Sequence, residues 1–270
     1  MRSQLTDAVV SDINGMPWVY NYLYRLDGNI ERKILNSINT DYAYIGDLMT
    51  QAGDANLAWN DNGQLISSDE PQATSHVWNW DGKLRSATKG SKNISLKYDP
   101  LGNRVIKNSS VNGSRKYVVD ISSNLPTILL EIAPGTDGLL GTGDDVTAKT
   151  YIYADSQVLA QHNGDYTYPR YFYLHDRLGS VRLVINTAGV TQHSYTYNPF
   201  GEVLESGHES QAPSNSFMFT GQFYDSEISQ YYLRARQYDP QLMRFTGRDP
   251  VEGNYEEPLT LHKYLYCATI

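Results

Sequence analysis

The residues best equipped for chemistry fall in three groups. Asp137, Asp144 and Asp145 stand among glycines in the segment 133–145. Carboxylates and free carbonyls on such a loop are the hard oxygen ligands that calcium takes, although the spacing and closing glutamate of an EF-hand are missing. A solvated loop is the competing account, and no other cofactor is expected. A second group lies in the run YYLRARQYDP from Tyr231. Strand alternation puts Tyr232, Arg234, Arg236 and Tyr238 on one face. Guanidinium planes stack on tyrosine rings and pair with carboxylates, of which Asp225, Asp239, Asp249 and Asp176 lie in neighbouring stretches. The expectation is a buried or half-buried Arg–Asp–Tyr network in which Arg234 and Arg236 are structural. The third group is the row of tyrosines and tryptophans along the chain. Such rings can stack on a glycan, but cross-strand aromatic pairs also stabilise hairpins, and the period-two alternation favours that account.

Other chemistries find little support. The six histidines show no paired metal-ligand spacing, and no Ser-His-Asp, P-loop or dinucleotide signature occurs. The single cysteine, Cys267, allows no internal disulfide and reads as a buried spectator in an apolar run. Lys plus Arg is 22 and Asp plus Glu is 30, a net charge of −8, which argues against a nucleic-acid partner. No stretch has the length of apolar residues that a membrane helix requires, and the start of the chain shows no signal peptide.

The elements that must position these residues are strands. Tyrosine (22) far outnumbers phenylalanine (6), glycine (21) and proline (11) punctuate the chain, and a helical period is almost absent. A unit recurs in which an alternating aromatic strand meets Asp or Asn, then Gly, then a second alternating strand with a basic residue. Gly28, Gly63, Gly82 and Gly102 mark its copies, and Asn112-Gly113, Asn163-Gly164 and Ala188-Gly189 mark further hairpins. The polar stretches 105–115 and 205–216 read as exposed loops. A lone hairpin cannot bury its apolar face, so the units must stack into one long, coiling antiparallel sheet. The fold class is all-β, with hairpins over 1–132, a Gly/Asp-rich insertion over 133–148 and a denser C-terminal region over 149–270.

That last region resembles a known family. The blocks YFYLHDRLGSVR from Tyr171, YTYNPFGE from Tyr195, FTGQFYD from Phe219, YYLRARQYDP from Tyr231, RFTGRDP from Arg244 and LHKYLY from Leu261 resemble, in order, the Rhs-repeat-associated core domain. The units before position 105 resemble the YD repeats that precede this core in polymorphic toxins, insecticidal toxin complex C components, wall-associated proteins and teneurins. The resemblance implies a spirally wound β-sheet shell, part of an Rhs-like shell with its C-terminal core. It implies a non-enzymatic scaffold that encapsulates or presents a C-terminal toxin or cargo polypeptide, with another shell chain as a further partner and a secreted or cell-surface location. Two alternatives stay open: an autoproteolytic core and a carbohydrate-binding surface module. Family self-cleavage resembles aspartyl-protease chemistry with an assisting arginine, which implies Arg248 and Asp249 as the catalytic pair. The sequence stops about where the family's Asp-Pro-x-Gly segment would begin, so the core reads as truncated. Met243 and Ser229-Gln230 stand where the family has glycine and Gly-Leu, so two turns are expected to be rebuilt at a cost if positive φ is needed.

Overall fold

The computed structural model describes residues 4–266 except 13, 70–72, 123–124, 156 and 257. Cys267 lies outside the described residues. Among them, nineteen strands from Asp7–Ser11 to Val203–His208 pair antiparallel in a meander, followed by four short strands between Phe223 and Phe245. The described residues contain no α-helix, and no helix is long and apolar enough to cross a membrane. The all-β reading holds. Two units emerge: one comprises Met1–Gly90, Asn198–Glu202 and Arg236–Ile270, the other Ser91–Tyr197 and Val203–Ala235. The segment 133–148 lies inside the second unit, where it joins Thr127–Ala133 to Val146–Ala154.

The recurring Asp/Asn…Gly signature forms a loop with three residues at its tip. In 60–64, 99–103, 176–180, 186–190 and 198–202, the first residue is Asn or Asp, and its side-chain oxygen accepts the backbone N–H groups two and four residues later. The glycine at the fourth position donates to the first residue's carbonyl, and the first residue's N–H donates to the fifth carbonyl. The Asx side chain therefore satisfies the donors that a tight turn leaves free. At Gly63 the requirement is twofold. Its φ is +71°, and a Cβ there would collide with the Tyr264 hydroxyl, which donates to the Gly63 carbonyl at 2.8 Å.

Beside many of these loops the pairing slips by one residue. Tyr24 faces Ile30 while Leu23 faces Arg32; Trp59 faces Leu65 while Ala58 faces Ser67; Tyr197 faces Val203 while Thr196 faces Glu205. The return strand carries a bulge there, which swaps the faces of all that follows. The aromatic residue at the slip points its polar atom at the preceding hairpin. In the first unit Tyr44 Oη donates to the Ile30 carbonyl at 2.8 Å, Trp59 Nε1 to that of Met49 at 2.6 Å and Trp78 Nε1 to that of Leu65 at 2.7 Å. Each acceptor is the residue that faces the previous hairpin's aromatic. In the second unit Tyr153 Oη reaches the Ile128 carbonyl at 2.9 Å and Tyr197 Oη that of Val181 at 2.7 Å. The first unit's core gathers around Tyr20, Tyr22, Tyr42, Met49, Leu65 and Met243.

Three expectations need correction. The stretch 105–115 is strand, not loop: Arg104–Ser109 and Gly113–Asp120 enclose a short turn. Lys107 is its one buried charge, and the exposed residues 110–112 form the turn. The stretch 205–216 begins inside the strand Val203–His208. The turns at Ser229 and Met243 are not rebuilt, because both residues hold the left-handed conformation, at φ +57° and +58°.

Two outcomes follow. Ser229→Gly relieves that strain and should raise stability by about 1 kcal/mol, whereas Met243→Gly should lower it despite the same φ, because Met243 is buried in the core. Urea titrations of both variants check the opposite signs. Tyr197→Phe leaves the Val181 carbonyl without its donor and should lower Tm by ~2–6 °C, read by circular dichroism.

Candidate functional site

The strongest concentration of charge is buried in the second unit, and much of it comes from residues that sequence reasoning passed over. Arg104 and Asp225 side chains have no solvent exposure, and Arg104 Nη1 meets Asp225 Oδ1 at 2.8 Å. Lys107 Nζ bridges Asp225 Oδ1 at 3.0 Å and Glu227 Oε2 at 2.7 Å. Ser109 and Asn112 donate to Glu227 Oε1, and the Arg104 guanidinium lies 3.9 Å from the centre of the Tyr232 ring. Two cations thus face two carboxylates. Burial works to raise the Glu227 carboxyl, but the Lys107 charge and the bonds from Lys107 and Ser109 hold it below its ordinary value. Burial likewise opposes the Arg104 charge, but Asp225 together with Tyr98 and Tyr232 outweighs it, so the guanidinium stays charged.

Period-two reasoning could not have found this pair of strand positions. Arg104 and Lys107 are three apart, which alternation assigns to opposite faces. The bulge changes that: Tyr98 faces Arg104 while Lys97 faces Ile106, so both cations turn inward.

The expected Arg–Asp–Tyr face is not a face of one strand. Tyr232 and Tyr238 belong to separate strands, Gln230–Leu233 and Arg236–Asp239, and the chain turns between them with Arg234 at φ +58°. Arg234 Nε donates to the Pro126 carbonyl and Nη1 to Gln222 Oε1, so carbonyl oxygens take the place given to aspartates. Asp225 binds Arg104 and Lys107. Asp239 accepts the backbone N–H groups of Gln241 and Leu242, and Asp176 those of Leu178 and Ser180, as turn caps. The structure does join Arg236 to Asp249, Nη2 to Oδ2 at 2.7 Å, with the guanidinium 3.5 Å from the centre of the Phe245 ring. Burial pulls the Arg236 pKa down and the Asp249 charge pulls it back.

Arg248 and Asp249 do not pair as a catalytic dyad. Arg248 is exposed, and the ion-pair partner of Asp249 is Arg236. Asp249 also accepts the Val251 N–H, while its own N–H donates to the Lys263 carbonyl. Arg244, two per cent exposed, donates to the Asp47 carbonyl at 2.6 Å between the rings of Tyr44 and Tyr264. The acidic loop is similarly self-contained. Asp144 accepts from the Thr136 and Thr142 hydroxyls and the Asp137 N–H, and Asp145 from the Gly141 N–H. Those bonds hold the Asp144 carboxyl down to about 2. Among the described residues, no three His, Cys, Asp or Glu side chains come together as a metal site.

The first unit also contains an open cleft of ≈640 Å³ whose charged lining mixes Lys33 and Lys89 with Asp54, Asp69, Glu202 and Asp239. None of these arrangements aligns a nucleophile, a base and an oxyanion donor. In the C-terminal blocks Asp176 and Asp239 cap turns, Arg236 and Arg244 stack on rings, and Asp225 and Asp249 form ion pairs.

Comparison with known proteins fits that geometry. The model of the teneurin YD-shell matches residues 1–267. The chain belongs to the teneurin YD-shell family. Among curated relatives, the tRNA3(Ser)-specific nuclease WapA of Bacillus spizizenii is 27% identical over 257 residues, covering 90% of this chain and 10% of that protein. Salivary gland surface protein 1 of Aedes aegypti is 30% identical over 175 residues, covering 62% of this chain and 5% of its own length. This YD-shell chain therefore spans a tenth or less of these two relatives. Among solved structures, TcdB2-TccC3 matches with a TM-score of 0.54 at 14% identity, over 98% of this chain and 18% of that one. A Tc holotoxin pore of Photorhabdus luminescens gives 0.54 at 13% identity, over 98% and 17%. At that identity the likeness shows the fold, and the YD-shell fold is what the hairpin loops and bulges build.

The buried and half-buried ion pairs differ in cost. Asp225→Asn leaves Arg104 and Lys107 short of one counter-charge and should destabilise by ~3–5 kcal/mol. Arg236→Ala acts on side chains that are 18% and 28% exposed and should lose only ~1–2 kcal/mol. Paired denaturant melts check the ranking.

Proposed function

We propose that this chain is a non-enzymatic segment of shell wall that encloses or presents a polypeptide joined to it or held by a neighbouring shell chain. One observation carries the reading: Asp225, Arg234, Arg236, Arg244 and Asp249 of the C-terminal blocks are committed to contacts within their own units. Asp225 neutralises two buried cations, and Arg244 is locked between two tyrosines. Such residues hold a wall together and leave little for turnover. The family and the Tc-type structural neighbours support a toxin or cargo polypeptide, or another shell chain, as the partner. The autoproteolytic alternative draws on Asp249, whose half-buried carboxylate has an arginine at 2.7 Å.

The test uses the chain with an unfolded, trypsin-sensitive polypeptide appended after Ile270. Wall function predicts slower tryptic cleavage of the appended segment than of the free polypeptide, and an unchanged intact mass during incubation between pH 4 and 8. Equal cleavage rates remove the shell reading. A discrete internal cut that disappears in Asp249→Asn establishes the protease instead.

A further inference from the structure

The second unit contains a cavity of ≈190 Å³ whose charge does not balance. Four neighbouring strands, Arg104–Ser109, Gly113–Asp120, Thr127–Ala133 and Val146–Ala154, bring Lys107, Arg115, Glu131 and Lys149 to its lining. Lys107 and Arg115 are direct cross-strand partners, as are Glu131 and Lys149. Like charges placed opposite each other destabilise a sheet unless something lies between them. Lys107 is already matched by Asp225 and Glu227. That leaves Arg115 and Lys149 sharing one carboxylate. Glu131 stands 3.9 Å from Arg115 Nε, and its Oε1 already accepts the Tyr151 hydroxyl.

Lys149 is the anomaly. It is four per cent exposed, its ammonium group donates to the Ser214 carbonyl at 2.7 Å, and among the described residues no carboxylate stands within ion-pair distance of it. A buried ammonium with a single neutral acceptor is costly, and two of its three donors remain for another ligand. The rest of the lining offers an oxyanion the hydroxyls of Ser214, Ser216 and Ser226, while Ser109 and Asn112 already donate to Glu227 and the Asn215 amide to Tyr195 and the Phe217 carbonyl. The space exceeds that of a water and admits a phosphate-sized group.

We infer that this cavity binds a small oxyanion of the phosphate, sulfate or carboxylate class, held by Lys149 and Arg115. The anion would compensate the buried ammonium and screen Arg115 from Lys149. Without it, burial and the nearby Arg115 and Lys107 charges depress the Lys149 pKa against the pull of Glu131, which is the direction an unfilled cation site takes. The site concerns stability of the wall and stands whether or not the wall encloses a cargo.

The experiment titrates phosphate, sulfate and acetate separately against the whole chain at constant ionic strength set with sodium chloride, reading Tm. Filling the site predicts a rise that follows ln(1 + [anion]/Kd), about 3 °C at ten times the dissociation constant. Excluded-anion stabilisation, by contrast, grows linearly with anion concentration and is equal in all variants. Lys149→Met should abolish the logarithmic component, and Arg115→Gln should weaken its apparent affinity by about tenfold. The three anions separate tetrahedral from planar ligands. No rise in the parent chain with any of them, or a rise of identical form in Lys149→Met, overturns the site. Should Lys149→Met fail to fold, Arg115→Gln decides, because that side chain is 31% exposed and its loss leaves the strand pairing intact. An unshifted titration in that variant counts against the proposal.

Discussion

Everything in this fold depends on a tyrosine or tryptophan at the mouth of a hairpin reaching back to the hairpin before it. The contact is one hydrogen bond, from a ring hydroxyl or indole N–H to a backbone carbonyl, as in Tyr44 to Ile30 and Trp59 to Met49. Its net worth is about 1 kcal/mol, but an unmet buried carbonyl costs ~1–3 kcal/mol, so each hairpin has one favoured register against its predecessor. The ring fills the space under the sheet while the donor at its far end fixes the offset. Phenylalanine offers the ring without the donor, so it could not replace Tyr44, Tyr153 or Tyr197 in this contact. The phenylalanines do other work: Phe217 and Phe223 meet Tyr151 and Tyr117 edge-on, where only ring surface counts.

The Asx loop and the bulge make that contact repeatable. The loop fixes where the return strand starts, and the bulge one residue later changes which face its side chains take. Hydrophobic and charged residues alike then point inward at the first and fourth positions of the return strand: Leu84 and Ala87 in one hairpin, Arg104 and Lys107 in another. The same backbone device that buries leucine in one place buries an ion pair in the next. Such buried charge is an indifferent source of stability, yet it is selective, since only a matched set of counter-charges closes it. That property suits a wall assembled from many near-identical hairpins, where the apolar pattern alone would tolerate a shift of one unit.

Ser229 and Met243 show how far the backbone outlasts its preferred residues. Both adopt a conformation that glycine takes freely, and the chain keeps the turn and accepts the strain. Met243 recovers some of that cost by packing among Tyr20, Tyr22 and Leu65, while partly buried Ser229 lies outside that core.

Composition, turn residues and alternation determined the class of structure by themselves, because each has a local cause. Asx-x-x-Gly specifies its loop through hydrogen bonds within five residues, and alternating aromatics specify a strand with one buried face. Of the motif blocks from Tyr171 onward, those around Asp176 and Asn198 carry that local code, and the other four were legible by their resemblance to a family. The charge partners were not. Asp225 was expected beside Arg234 and Arg236, yet it binds Arg104 and Lys107, more than a hundred residues upstream. Of the carboxylates expected near Arg236, Asp249 is the one it meets, while Arg248, also expected beside Asp249, is exposed. A bulge shifts facing by one residue, and a turn at Arg234 divides what alternation treats as one strand. Neither event leaves a compositional mark. Local sequence determined the hairpins; which charges meet was decided by tertiary packing, because burial forces each charge to seek whatever counter-charge the register brings near.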